Sequence, residues 1–62
     1  MDFADVIVEQ IDEKATQLKE HLAEGKAANF EEYKRICGEI KGLLTARGYT
    51  LDLQRTMETS DE

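Results

Sequence analysis

Apolar side chains in the first part of the chain recur at alternating spacings of four and three residues. This spacing places them along one side of an α-helix, as in a helix that packs against a second helix. The members of this row are Ala4, Val8, Ile11, Ala15, Leu18 and Leu22. The chain contains no proline, and helix-forming residues occur throughout it. The sequence therefore predicts an all-α fold.

Both ends of this first helix have local signals. Asp2 can cap the N-terminus through its carboxylate, and Asp5 favours the positive end of the helix dipole. Gly25 can adopt the left-handed conformation that commonly follows the last helical residues. We therefore predict a first helix over residues 2–24 and a turn over residues 25–28.

A second helix is predicted to follow the turn. Asn29 and Glu32 have the spacing of a capping box, in which each side chain accepts a hydrogen bond from the other residue's backbone. Gly48 matches a helix terminator, so the second helix is predicted over residues 29–47. Its predicted seam repeats the spacing of four and three, with Tyr33, Cys37, Ile40, Leu44 and Arg47 in line and Phe30, Ile36 and Leu43 beside them.

Together these elements predict one domain over residues 1–62, an antiparallel two-helix hairpin. Short connections of this kind join antiparallel helices. In the C-terminal segment, residues 48–62, we expect a short third helix and a mobile acidic tail over residues 58–62. A core this small rarely supplies more than ~3–5 kcal/mol. We therefore expect self-association or a partner protein to reinforce the fold.

The charge of the chain argues against two classes of partner. It has 14 acidic and 8 basic residues, and its formal net charge is −6. Direct nucleic-acid binding and attachment to anionic membranes both need a basic surface, so neither is expected. No apolar run approaches the ~20 residues of a membrane-spanning helix. The acidic residues are concentrated in residues 1–24, whereas residues 25–49 are net basic.

The sequence offers no constellation for catalysis, metal binding or a cofactor. Cys37 is the only cysteine and His21 the only histidine, so neither a disulfide nor a zinc site of the usual four ligands is expected. Nothing in the sequence places a nucleophile beside His21. We therefore predict a protein that is not an enzyme and has no catalytic, cofactor-binding or metal-binding residues.

Two glycines inside the second helix are unusual. Gly38 and Gly42 each reduce helix stability by ~1 kcal/mol relative to alanine, and they lie about 200° around the helix from Ile40. One interpretation is a docking row where a partner approaches the backbone closely; the other is that the glycines are incidental. The candidate protein-binding residues are Arg35, Gly38, Gly42, Thr45 and Tyr49.

Part of the chain resembles a known group of proteins. Gly25-Lys26-Ala27 and the stretch from Glu31 to Leu43, with its Gly-x-Ile-x-Gly-Leu ending, are similar to short phage-encoded helical-hairpin proteins of virion morphogenesis regions. The resemblance covers roughly residues 18–45. It implies a phage context and gives no site.

The function expected on this basis is that of a phage accessory protein, a small multi-copy virion structural or assembly component that acts by protein–protein contact. Its expected partners are other virion proteins or copies of itself. The expected location is the host cytoplasm during synthesis, with the virion as a second location. The alternative is an acidic host-takeover or anti-defence inhibitor that occupies a basic groove of a host protein.

Overall fold

The computed structural model describes residues 2–60 and contains two α-helices. Helix α1 covers Phe3–Ala23 and helix α2 covers Phe30–Ser60. The two helices lie antiparallel in one layer, with extents of 51 × 19 × 12 Å, and no strand occurs among the described residues. The predicted all-α hairpin is therefore confirmed.

Local hydrogen bonds define both ends of α1. The Asp5 N–H donates to the Asp2 carboxylate at 2.9 Å, so Asp2 is the N-cap as predicted. After α1, Gly25 has a φ of +72°, and its N–H donates to the Leu22 carbonyl at 3.0 Å. The Lys26 N–H donates to the His21 carbonyl at 3.2 Å. These two bonds form a Schellman motif, which satisfies carbonyls that the end of α1 leaves free.

Half of the predicted capping box of α2 is present: the Asn29 side chain accepts its bond, whereas the Glu32 carboxylate lies 3.9 Å from His21 Nε2 and makes no bond to the Asn29 N–H. The Glu32 N–H donates to Asn29 Oδ1 at 2.8 Å, and the Tyr33 N–H donates to the Asn29 carbonyl at 3.0 Å. The side chain thus satisfies an N–H group that has no partner within the helix. The turn between the helices is fixed by residues near it in sequence.

The predicted end of α2 at Gly48 is wrong. Helix α2 has 31 residues and continues through Gly48, so there is no separate third helix after it. Gly48 weakens a helix by only ~1 kcal/mol, which contacts further along can offset. The Gln54 side-chain amide supplies such contacts, donating to the carboxylates of Asp2 and Asp5 at 3.1 Å each. Residues 58–60 of the predicted acidic tail belong to α2, and residues 61–62 lie outside the described residues.

The seam residues predicted from the sequence are confirmed on α1 and only partly confirmed on α2. Every member of the predicted α1 row is buried or half-buried. On α2, Cys37, Ile40 and Arg47 are half-buried as predicted. Two further predicted seam residues face solvent: Tyr33 is 45% exposed and Leu44 is 42% exposed.

The reason for this difference is the orientation of α2 about its own axis. Ile36, predicted to lie beside the seam, is 2% exposed and takes a central position. The apolar residues of α2 cover an arc wider than one neighbouring helix can bury. Turning Ile36 inward therefore leaves Tyr33 and Leu44 on an open side.

The buried core is small. Among the described residues only Ala15 and Ile36 are buried apolar side chains, each 2% exposed. Arg47 Nε donates to Asp12 Oδ1 across the seam at 2.8 Å. Both side chains of this ion pair are about 40–50% exposed, so it contributes no more than ~1 kcal/mol. Most of the surface of both helices therefore remains outside the seam.

Two isoleucines test the position of the core. Ile36→Ala is expected to reduce the free energy of unfolding by ~2–5 kcal/mol, because it leaves a cavity at a fully buried position. Ile7→Ala makes the same chemical change at a residue that is 46% exposed, and the expected loss is below ~1 kcal/mol. Chemical denaturation of the two variants measures the difference. Equal losses would show that Ile36 is not at the centre of the seam.

The Asp2 cap predicts a pH dependence. Hydrogen bonds from the Asp5 N–H and the Gln54 side chain lower the pKa of Asp2 from its ordinary value of 3.8. A carboxyl group with a lowered pKa in the folded state stabilises the protein above its unfolded pKa. This stabilisation is lost as the pH falls below 3.8 and through the folded pKa. Thermal melts of the wild type and Asp2→Asn should differ at pH near ~6 and converge in acid. A constant difference would contradict the charged cap.

Candidate protein-binding surface

The five predicted binding residues share the outward side of α2. A methyl group added at Gly38 or Gly42 would meet no atom within 4 Å, so both glycines face away from α1 as predicted. Thr45 Oγ1 donates to the carbonyl of Lys41 at 2.9 Å. Arg35 Nη1 lies 3.5 Å from Glu39 Oε1, and Tyr49 is 73% exposed. The structure therefore places the five residues along one solvent-facing row, which we call the glycine row.

A second surface lies where the open ends of the helices meet. It is a shallow apolar groove of about 220 Å³, which we call the open-end groove. Phe3 is 87% exposed there, and Leu53 and Met57 are each 62% exposed. All of its lining residues are uncharged: Phe3, Ala4, Ile7, Thr50, Leu53, Gln54 and Met57.

Sequence reasoning missed this groove because α2 was expected to end at Gly48. The available signal was the spacing of Leu53 and Met57, which lie one helical turn apart and continue the helical period of α2. Phe3 and Ile7 have the same separation on α1. Four apolar side chains are thereby brought together at the open end of the hairpin.

A third surface is an apolar row on α2, which we call the α2 stripe: Phe30, Tyr33, Cys37, Leu44 and Leu51. Helical geometry places these five residues within an arc of about 60°, to one side of the seam. The Phe30 and Tyr33 rings stack with centroids 6.0 Å apart. A hydrogen bond with Cys37 raises the pKa of the Tyr33 hydroxyl. Leu53 and Met57 lie on the other side of the seam, so the stripe and the open-end groove occupy opposite faces of the hairpin.

The acidic residues of α1 form a fourth surface. Asp5, Glu9, Asp12 and Glu13 surround Val8 in a wide depression of about 590 Å³. Carboxylates within a helical turn of each other repel, and such repulsion is relieved by a cationic partner. This surface therefore suits contact with basic groups.

Among residues 2–60, His21 and Cys37 are the side chains to consider for chemistry at neutral pH. His21 Nε2 lies 3.9 Å from Glu32 Oε1 on a partly exposed surface. Cys37 is half-buried and has a free thiol. Within residues 2–60, no group of three or more histidine, cysteine or acidic residues is arranged to hold a metal ion. In the same residues, every buried side-chain nitrogen or oxygen has a hydrogen-bond partner.

Two further findings concern the described helices and the comparison with known proteins. No helix in the described part of the chain is both long enough and apolar enough to cross a membrane. Comparison of the sequence and structure with protein families, curated proteins and solved structures found no significant match. The surfaces described above are therefore the basis for assigning a function.

The glycine row can be tested by adding methyl groups. Gly38→Ala and Gly42→Ala should each stabilise the protein by up to ~1 kcal/mol, because alanine loses less backbone entropy in a helix. A partner that packs closely on this row would clash with the added methyl groups and bind more weakly. Gly48→Ala is the matched control, since Gly48 is also helical and open but lies off the row. Normal partner binding by the Gly38→Ala, Gly42→Ala double variant would show that the two glycines are incidental.

Proposed function

We propose that this chain is a non-enzymatic contact protein, a small virion structural or assembly component that binds a partner protein at the open-end groove. The observation that carries the proposal is the groove itself. Its apolar side chains line a concave surface that contains no charged residue. A concave apolar surface of this kind is typical of a site for an apolar segment of another protein.

The energetics favour an occupied groove. Burying a leucine, phenylalanine or methionine side chain fully contributes ~1.5–3 kcal/mol. Phe3, Leu53 and Met57 each retain more than half of their exposure in the hairpin. A partner that covered all three would gain most of that free energy. An apolar partner segment is favoured in the groove itself, because its lining residues are uncharged. The carboxylates of Asp2 and Glu58 border it, in an adjoining depression that shares Phe3, Ala4, Gln54 and Met57.

The glycine row extends this contact along α2. Gly42, Tyr49 and Leu53 are separated by seven and four residues, so helical geometry places them on the same side of α2. A partner helix lying along this side could contact the groove and pass close to the backbone at Gly42. The predicted binding residues and the groove would then form one continuous surface.

The virion role rests on the resemblance to phage-encoded hairpin proteins, and the contact mode rests on the groove. This small protein would be present in several copies and would hold larger virion proteins together. Its partners would be other virion proteins or copies of itself. The location that follows is the host cytoplasm during synthesis and then the particle.

The acidic surface of α1 favours a second candidate function. Four carboxylates surround Val8 on one side of the hairpin. Asp12 already pairs with Arg47, and Asp5 accepts a hydrogen bond from Gln54, so Glu9 and Glu13 are the two that could enter a basic groove of a host protein as an inhibitor. Attraction of this kind accelerates association and weakens as salt is added. A host protein that bound the chain through this surface in a salt-sensitive manner would favour inhibition over assembly.

One substitution tests the proposed function directly. Leu53→Glu places a charge in the open-end groove and is expected to remove the protein from purified particles. Gln17→Glu is the control, because it adds one negative charge at an exposed position on α1 that belongs neither to the groove nor to the glycine row. Mass spectrometry of purified virions measures incorporation of each variant. Absence of the wild-type chain from particles, or normal incorporation of Leu53→Glu, would overturn the proposal.

A further inference from the structure

We propose that the open-end groove receives an apolar helical segment of a partner protein that carries lysine or arginine beside its anchoring side chains. The inference rests on the proposed function, because it concerns the same groove and adds the chemistry of the segment that fills it. Its basis is the juxtaposition of an uncharged apolar surface with the carboxylates of Asp2 and Glu58.

The apolar surface of the groove is formed by one turn of each helix. Its four large side chains are two pairs, each pair separated by four residues: Phe3 and Ile7 on α1, Leu53 and Met57 on α2. A segment that covers them needs a short row of apolar side chains, one helical turn apart. An amphipathic helix supplies that spacing on one of its faces. The apolar surface therefore favours a helical segment of a partner.

The two carboxylates lie at one end of this surface. An adjoining depression of about 320 Å³ shares four lining residues with the groove and adds Asp2 and Glu58. Thr50, about two helical turns before Glu58 on α2, lines the groove toward its other end and is uncharged. A basic side chain of the partner would therefore find an acidic group at the open end of the hairpin, and none along the rest of the groove.

Both carboxylates keep a negative charge that a partner can pair with. Asp2 accepts hydrogen bonds from the Asp5 N–H at 2.9 Å and from the Gln54 amide at 3.1 Å, and neither donor is charged. Glu58 is exposed and forms no ion pair with another of the described residues. A lysine or arginine of the partner would supply a cationic donor to either carboxylate.

The groove also lies in the acidic half of the hairpin. Residues 2–13 and 48–58, which make up the open half, contain seven acidic residues and one basic residue, Arg55. Arg55 Nη1 lies 3.9 Å from Asp52 Oδ1, so its charge already faces an acidic side chain. Residues 14–47 contain seven basic and five acidic residues. The negative field therefore centres on the end that carries the groove, where it attracts a basic segment and repels an acidic one.

At the groove, the same charges disfavour a second copy of the chain as the occupant. Two chains that met groove to groove would bring Asp2 and Glu58 of both copies to one small contact. Like charges that face each other weaken a contact. The α2 stripe lies on the opposite face of the hairpin, so this repulsion concerns the groove alone. A basic segment of another protein avoids the repulsion and gains an attraction in its place.

Two synthetic helical peptides of equal length test the preference for a basic segment. Both carry the same row of leucines at spacings of three and four residues; one has lysines on the edges of that row, and the other has glutamines at the same positions. Fluorescence anisotropy of each labelled peptide, titrated with the full chain, measures its affinity. The lysine peptide is expected to bind about fivefold more tightly, because an exposed ion pair contributes up to that factor. Added salt should reduce this difference.

Two glutamates separate a local effect from a change in net charge. Glu58→Gln removes a carboxylate beside the groove and is expected to weaken binding of the lysine peptide roughly twofold to fivefold, with no change for the glutamine peptide. Glu31→Gln is the matched control, because it removes the same charge from an exposed position in the first turn of α2, at the far end of the hairpin. It should leave the affinity for both peptides unchanged.

Leu53→Glu separates failure of the inference from failure of the proposed function. It should abolish binding of the glutamine peptide, because it places a charge in the apolar surface. Equal affinity of the two peptides for the wild type, binding of neither peptide, or equal effects of Glu58→Gln and Glu31→Gln would overturn the inference. If Leu53→Glu is nevertheless lost from purified virions, the groove is a contact site without a preference for basic segments, and the proposed function stands.

Discussion

Two helices in a single layer share only one seam, and each turns less than half of its surface toward the other. Every apolar side chain outside that seam remains in contact with water unless another molecule covers it. In this chain the constraint is severe, because Ala15 and Ile36 are the only buried apolar residues among those described. Phe3, Phe30 and Leu53 are all more than half exposed. The hairpin therefore exposes more large apolar side chains than it buries.

Polar contacts cross the seam at two places along its length. The Arg47–Asp12 ion pair joins the middle of the two helices, and the Gln54 amide joins the end of the seam to Asp2 and Asp5. Exposed contacts of this type contribute little stability each. They link matching positions of the two helices, and the Gln54 bonds join α2 to the first turn of α1. The open-end groove exists because α2 continues far enough to place Leu53 beside Phe3.

The features that the sequence predicted correctly are those determined locally. Asp2, Gly25 and Asn29 act through hydrogen bonds to residues at most four positions away, and all three have the predicted roles. The outward position of the glycine row follows from helical period alone. The end of α2 and its orientation depend on contacts between helices. Local signals at Gly48 could not reveal the Gln54 contacts with α1. The row that contains Tyr33 and Leu44 and the row that contains Ile36 both had the helical spacing expected of a seam, so the sequence could not decide between them.

We expect association to complete a hairpin whose own core is small. Thermal unfolding followed by circular dichroism over roughly a hundredfold range of protein concentration tests it most directly, because only an associating protein has a concentration-dependent midpoint. The melting temperature is expected to rise steadily with protein concentration. A melting temperature that stays constant across the range would show that the single hairpin is stable alone and that no association completes it.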